Sequence, residues 1–360
     1  MTWTLLPAAE FAAYADRWEQ LNDETAATPL LCADFVRPLL TEFGTGKELL
    51  AYHERDGQTT AMAIVTPHRA GIWNTFQPSQ APIGLWMHRS GADLEGLLAT
   101  LMRALPGVPL AVGLTQRDPA LSPRPADGGL RTQDYIHTAR IKIGGSFEEY
   151  WAARGKNLRT NLKKQRAKLL KENVAARLEV VRAPHDVAAA IAQYGIMESA
   201  GWKAGKGTAI HPDNAQGRFY RALLEAFCRR GEGCILRYWF DDKVVAMNLC
   251  IEGKGSMIIL KTTYDETLNS QYSPAFLMCE ETCQQLFEEH KFDTLEFYGR
   301  VMEWHLRWTD DVRTMYHLTG YRWPLLHQLH TLVNNRKALI ARLRPQLPAS
   351  LPVAQHKASE

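Results

Sequence analysis

Twice along this chain, helical stretches give way to a run of short strands, then a helix, then one more strand. In the first half, helical spacing covers 1–22 (Phe11, Tyr14, Trp18, Leu21) and about 33–43. Strand-like runs follow at 48–54, 58–66, 71–76 and 83–87, separated by Gly and Pro turns. A helix at 92–104 and a buried-strand run from Val108 to Leu114 close the unit. The second half opens on a strand at 139–143 and a capping-box pattern, Ser146 with Glu149, that starts a helix. It continues with helix 156–172, strand 177–182 and helices 185–200 and 215–230. A three-strand meander follows at 233–240, 243–252 and 255–264, with Asp241 and Asp242 as a tight turn. Helix 274–290 and strands 292–298 and 312–318 complete it. Such an order closes only into layered α+β units, mostly antiparallel sheets flanked by helices.

The expected organisation is therefore two similar α+β domains, 1–116 and 139–322. A linker at 117–138 separates them, centred on 117–132, which holds three prolines and two glycines. A C-terminal helix at 323–345 and a polar tail at 346–360, expected to be disordered, follow. The repeat lies in element order and not in residue identity. A length of 360 residues suits two domains. With 46% hydrophobic and 22% charged residues, the composition excludes disordered, collagen-like and coiled-coil chains. No window nears the roughly 18 apolar residues of a membrane span. The start carries Asp16, Arg17 and Glu19 soon after a short apolar stretch, unlike a signal peptide. Six cysteines (Cys32, Cys228, Cys234, Cys250, Cys279, Cys283) are scattered without a CxxC pair, which reads as reduced, buried thiols in a cytoplasmic protein. His327 and His330 have helical spacing but no third ligand nearby, so no metal is expected.

The formal charge of +3 conceals one strongly basic element. From Trp151 to Lys171 there is no acidic residue, and eight Lys and Arg give +8 on a background of −5. Leu158, Leu162 and Leu169 form an inward stripe, while Arg159, Lys163 and Arg166 share another face. A solvated helix face is one reading. An anion cradle for a phosphate of a cofactor, an activated substrate or an RNA is the other. Further on, an apolar strand ends in Lys261, Tyr264 and Asp265, and a polar loop leads to Ser273, a good N-cap. Pro274 suits the first helical position, and Ala275 is small enough for close backbone approach. The N–H groups of that first turn form a ready anion site.

These strings together resemble the GNAT acyltransferase fold, and within it the CelD-like branch related to the FemAB peptidyltransferases. The resemblance covers about 141–320. It rests on the basic helix from Lys156 to Lys164, on Trp202-Lys203 followed by Gly207 to Ile210, and on Lys261, Tyr264, Asp265 and Glu266. Ser273-Pro274-Ala275 and the stretch Gly299, Arg300, Trp304, His305 and Trp308 complete it, and Phe76 to Pro82 is similar too. Two positions depart from the family pattern. Ala275 stands where a glycine is usual, which narrows the approach of a pyrophosphate. His305 stands where a lysine is usual, which weakens a phosphate role or turns it to acid–base work.

The resemblance implies an acyl-CoA-dependent N-acyltransferase, with acetyl-CoA or another acyl-CoA as co-substrate. The acceptor would be an amine or hydroxyl of a small molecule or of a saccharide or envelope precursor. It attacks the thioester directly, so its proton, the developing oxyanion and the leaving thiolate all need partners. The implied roles are Asp265 or Glu303 as base, Tyr264 as acid, and His305 beside them. Lys261 and the turn Ser273, Pro274, Ala275 and Phe276 would hold the donor. Arg159, Lys163, Trp202, Lys203, Arg300 and Trp304 would face the substrate. Two alternatives stay open: a FemAB-like transferase that draws an aminoacyl group from tRNA, and a catalytically degenerate GNAT-fold partner in exopolysaccharide biosynthesis.

Overall fold

The computed structural model describes residues 2–125, 128–200, 210–268 and 271–326. The first repeat runs β1 (Thr2–Pro7), α1 (Ala15–Glu24), α2 (Ala33–Phe43), β2 (Leu49–Arg55), β3 (Gln58–Arg69) and β4 (Ile72–Thr75). A short β5 (Trp86–His88), α3 (Leu94–Ala104) and β6 (Ala111–Arg117) complete it. A bridging segment follows: β7 (Arg131–Lys142), α4 (Phe147–Ala152) and α5 (Lys156–Lys171). The second repeat is β8 (Ala176–Val181), α6 (Val187–Ala200), α7 (Ala215–Arg229), β9 (Gly233–Phe240), β10 (Lys243–Gly253), β11 (Ser256–Tyr264), α8 (Pro274–Glu289) and β12 (Thr294–Glu296). The last described strand is β13 (Val312–Tyr321).

All the described strands belong to one mixed sheet. Its order is β1-β2-β3-β4-β6-β13-β7-β12-β11-β10-β9-β8, with β5 alongside β3. Along this order each repeat has three antiparallel pairings and then one parallel pairing, β4 with β6 and β11 with β12; the β3–β5 pairing stands beside it. The centre shows an exchange. β7 follows the first repeat in sequence yet pairs with β12 of the second, and β13 follows the second repeat yet pairs with β6 of the first. β7 and β13 pair with each other between them.

One face of the sheet is covered by helices of both repeats, α1, α2, α6 and α7, in a continuous core. Phe219 of α7 meets Phe35 and Phe43 edge-on or tilted, at 5.9 and 5.5 Å between ring centroids. Burying each such ring contributes roughly 1.5–3 kcal/mol. On the other face α3 covers the first repeat, and α5 and α8 cover the second.

Local signals correspond closely to the structure. Ser146 accepts the Glu149 N–H at 3.2 Å and Glu149 returns the bond at 3.1 Å. Phe240 pairs with Lys243 across a two-residue turn whose Asp241 has a φ of 50°. Leu158, Leu162 and Leu169 are buried.

Three expectations need correction. The chain starts as a strand and not as a helix over 1–22, because Trp3 is buried and β1 pairs with β2. The helical spacing takes over only at 3-10 helix Ala8–Tyr14 and α1, where Phe11, Trp18 and Leu21 are buried. The linker expected at 117–138 is partly strand, since β7 begins at Arg131 and the strand expected at 139–143 is its tail. The second repeat accordingly starts at β8 and not at 139. All six cysteines are buried with free thiols. Among the described residues, no helix is long and apolar enough to cross a membrane. The expected C-terminal helix (beyond 326), the tail, His327 and His330, and Trp202 with Lys203, lie outside the described residues.

Candidate active site

The parallel contact of β11 with β12 is short: Ser256 with Thr294, Met257 with Leu295, Ile258 with Glu296. Beyond Ile258 the strands part. At that point β11 carries a bulge against β10, where Leu249 faces Lys261 and Cys250 faces Ile259, leaving Leu260 over. The space between the parted strands and α8 is a cavity of about 780 Å³. Asn248, Ile259 and Thr262 line it from the sheet, Tyr264, Asp265, Glu266, Leu268 and Tyr272 from the strand end and following loop, and Phe297, Trp304 and Trp308 from the far side.

α8 enters this cavity by its N-terminus. Ser273, Pro274, Ala275, Phe276 and Cys279 all line it. Pro274 occupies the first helical position, no side chain caps the turn, and the first turn carries no acidic residue. The positive end of the helix dipole therefore faces the cavity without a carboxylate of its own. The Ser273 N–H donates to Gln165 of α5 at 2.8 Å, which fixes the two helices together.

The polar groups inside are few. Thr262 donates to Asn248 at 2.7 Å, and Asn248 is buried in the central strand. Trp308 is fully buried, and its indole N–H has no hydrogen-bond partner among the described residues. Its ring stacks on Trp151 at 5.9 Å and lies 5.8 Å from Phe276. Tyr264, 46% exposed, stands at the mouth. Tyr272 at the rim donates to Glu172, and burial together with that bond pushes its hydroxyl up to about 12.

Several sequence-expected residues have other duties. Asp265 lines the cavity, but both carboxylate oxygens are committed. Oδ1 accepts the Thr267 N–H and hydroxyl at 2.8 and 2.6 Å, and Oδ2 pairs with Lys243 at 2.5 Å. Burial alone would raise the Asp265 carboxyl, but these bonds outweigh it and hold it below the usual range. It anchors a turn and is a poor proton acceptor. Lys261 points to the opposite face of the sheet, where its Nζ lies 3.3 Å from Glu198 and 3.4 Å from Gln216, so it is not a donor-binding residue of this cavity. The Leu260 bulge causes this, because one extra residue swaps the faces of Lys261 and Thr262.

His305 is buried, and its Nδ1 accepts the Met302 N–H at 2.9 Å. Burial pushes its pKa down to about 4, so the ring is neutral at physiological pH. It stacks on Trp304 at 3.5 Å and holds that ring at the cavity wall, a positioning role in place of acid–base work. Glu303 and Arg300 are exposed and do not line the cavity.

Arg159 and Lys163 lie on a separate, shallower cavity of about 430 Å³ between α5 and α8, with Trp151, Thr160, Arg166 and Glu280. Arg166 binds Glu280 at 2.6 Å and Glu281 at 2.8 Å, joining the basic helix to α8. Lys156, Arg159, Lys163 and Lys164 make no ion pair among the described residues, so this part of the basic helix keeps its field.

Asn248, Thr262 and Tyr272 were not singled out from sequence, and Trp308 entered only as the end of the family-like stretch, with no role given to it. Asn248 had a usable signal, as a lone amide inside the apolar run Val244 to Ile251.

Residues 156–306 match the family model described as the acetyltransferase (GNAT) domain. No curated protein matches the chain. Among solved structures, the C-terminal domain of a putative lysylphosphatidylglycerol synthetase from Agrobacterium fabrum is 15% identical, with a TM-score of 0.54. That alignment covers 85% of this chain and 92% of that one. L-PGS from Bacillus licheniformis is 12% identical over 85% and 91% of the two chains, with a TM-score of 0.52. FemX is 10% identical over 91% and 99%, with a TM-score of 0.55. At such identities the likeness is one of fold. The cavity where β11 and β12 part is lined by residues within the stretch that matches the acetyltransferase (GNAT) domain model, or directly beside it.

Proposed function

We propose that this chain is an acyltransferase that passes an acyl group from a CoA thioester to an amine or hydroxyl acceptor. One observation carries the reading. The cavity between the parted strands ends on a helix N-terminus that has no side-chain cap and no acidic first-turn residue, inside the stretch that matches the GNAT domain. The residues present fit such a donor. The first turn of α8, Ser273 to Phe276, offers dipole and backbone N–H groups to a pyrophosphate. Phe276, Phe297 and Trp304 offer apolar walls to the rest of the chain, and the orphaned indole N–H of Trp308 is a donor waiting for an acceptor.

In the reaction, a backbone N–H on the edge of β11 past Ile258 donates to the thioester carbonyl oxygen and stabilises the oxyanion as the acceptor attacks. Tyr264, at the mouth, gives its proton to the departing thiolate. The acceptor's proton leaves to water at the same open side, since Asp265 is committed to its turn. The acceptor is read as a small molecule or a saccharide or envelope precursor, on the CelD-like resemblance. A cytoplasmic setting accords with the six reduced thiols.

A second reading takes the donor to be aminoacyl-tRNA. The unpaired cations of α5 beside α8 favour it, and the lysylphosphatidylglycerol synthetase domain and FemX share the fold. One experiment separates the two. Purified protein is given acetyl-CoA, longer acyl-CoAs or aminoacyl-tRNA, with an amine panel, and thiol release and acceptor mass are followed. Thiol release establishes the first reading. Turnover only with aminoacyl-tRNA, abolished by RNase and weakened by Arg159→Ala with Lys163→Ala, establishes the second. Binding and turnover of none would indicate a degenerate partner.

A further inference from the structure

The first repeat holds a further cavity, of about 380 Å³, where the segment after β4 meets the end of β6. Arg117, the last residue of β6, forms part of its wall and is only 6% exposed. Its Nη1 donates to the Trp86 carbonyl at 3.2 Å, while its Nε is buried with no hydrogen-bond partner among the described residues. The two carboxylates on the same wall are committed elsewhere. Asp118 accepts from Arg313 through both oxygens, at 2.8 and 2.7 Å, and Glu24 pairs with Arg89. Arg117 thus has no ion pair in direct contact among the described residues; the Tyr316 hydroxyl and the charge of Asp118 favour its cation, but burial outweighs them.

A guanidinium does not shed its proton in a protein, so burying one without a counter-ion in direct contact is unfavourable. A ligand that supplies the missing charge relieves this. His88 adds a directed donor. Its Nδ1 accepts the Trp86 indole N–H at 3.2 Å, which leaves the ring proton on Nε2. Much of the remaining wall is apolar, with Leu31, Ile83, Met87 and Leu121.

We propose that this cavity binds a small organic monocarboxylate, with the carboxylate on Arg117 and the apolar body against Leu31, Met87 and Leu121. One negative charge balances one guanidinium. A phosphate dianion would bring a second charge beside Glu24 and Asp118 with no further cation to meet it. The volume suits a ligand of about ten heavy atoms, at the small end of known sites. The site is separate from the donor cavity and does not depend on the acyl-transfer reading.

The test titrates the full chain with benzoate, phenylacetate and hexanoate, each against its neutral amide, by calorimetry and by heteronuclear NMR of the Arg117 Nε–H. The expected result is saturable binding of at least one acid at about millimolar or tighter. Its amide binds at least about tenfold more weakly, and the Nε–H resonance shifts with the same saturation. Arg117→Met removes the binding while raising or preserving the melting temperature without ligand. If that variant fails to fold, the Nε–H titration of the unaltered protein decides. No saturable binding, equal binding of acid and amide, or a static Nε–H resonance overturns the proposal.

Discussion

In the first repeat, the parallel strands β4 and β6 part after Asn74 and Gly113, and the gap is sealed at once. The hydroxyls of Thr75 and Thr115 lie 2.8 Å apart, and Gly84 donates its N–H to the Thr115 carbonyl at 3.1 Å. In the second repeat, β11 and β12 part after Ile258 and Glu296, and the gap is the cavity of about 780 Å³. The helices that follow differ in the same sense. Asp93 caps α3 by accepting the Gly96 N–H at 3.0 Å, and Glu95 adds a second carboxylate to that turn. α8 has Ser273 without a side-chain cap and no acid. Even the exit from the parted strand is shared, through a non-glycine residue of positive φ, Gln116 at 46° and Tyr298 at 47°. One scaffold therefore serves two ends. Where the gap and helix end satisfy each other internally, the repeat is closed at that point. Where neither is satisfied, a ligand can complete it.

The contrast can be broken most sharply at α8. Ala275→Glu gives that helix the carboxylate that α3 already has, and acyl-CoA affinity is expected to fall roughly a hundredfold or more. Unchanged affinity in a calorimetric titration would rule out the α8 turn as the donor site. Next in size, Tyr264→Phe should lower kcat about a hundredfold with KM little altered. An unaltered kcat in stopped-time thiol assays removes Tyr264 from the chemistry. In the first repeat, Gly84→Ala places a Cβ well inside contact distance of the Thr75 hydroxyl and the Thr115 carbonyl. The expected cost is about 1–3 kcal/mol of stability in urea unfolding, with donor affinity untouched. A stable variant would mean that the seal is loose.

The smallest effect concerns Asp265. Its carboxyl is held below the usual range, so its stabilising contribution is present above the ordinary aspartate pKa of about 4 and is lost as pH falls through the folded value. Asp265→Asn should lower the melting temperature at pH 7, lower it by progressively less as the pH falls below the ordinary aspartate range, and keep most of kcat. A loss of kcat as large as that of Tyr264→Phe would restore Asp265 as the base.

What was legible in the sequence was local. The Ser146 capping box, the Asp241–Asp242 turn, the leucine stripe of α5 and the Ser273–Pro274 start of α8 all depend on residues within a few positions of one another. Order along the chain also carried the repeat. The exchange of β7 and β13 was not legible, because the partner of Arg131–Lys142 lies some 170 residues away and period-two patterning names no partner. The same limit hid the bulge at Leu260, and with it the reversal that puts Thr262 in the cavity and Lys261 behind it. His305 misled for a related reason, since a histidine's role is set by burial and by its neighbour's N–H, and here these come from Trp304, Phe297 and Met302.

The exchanged strands also set the order in which the molecule can be finished. While the chain is being made, β6 stays an open sheet edge until Val312–Tyr321 emerges some 200 residues later. An unpaired edge is a template for wrong partners, and pairings so distant in sequence form slowly. Synthesis that stops short of β13 would leave a first repeat with an adhesive edge, so the folding of the first repeat waits on a strand made long after it.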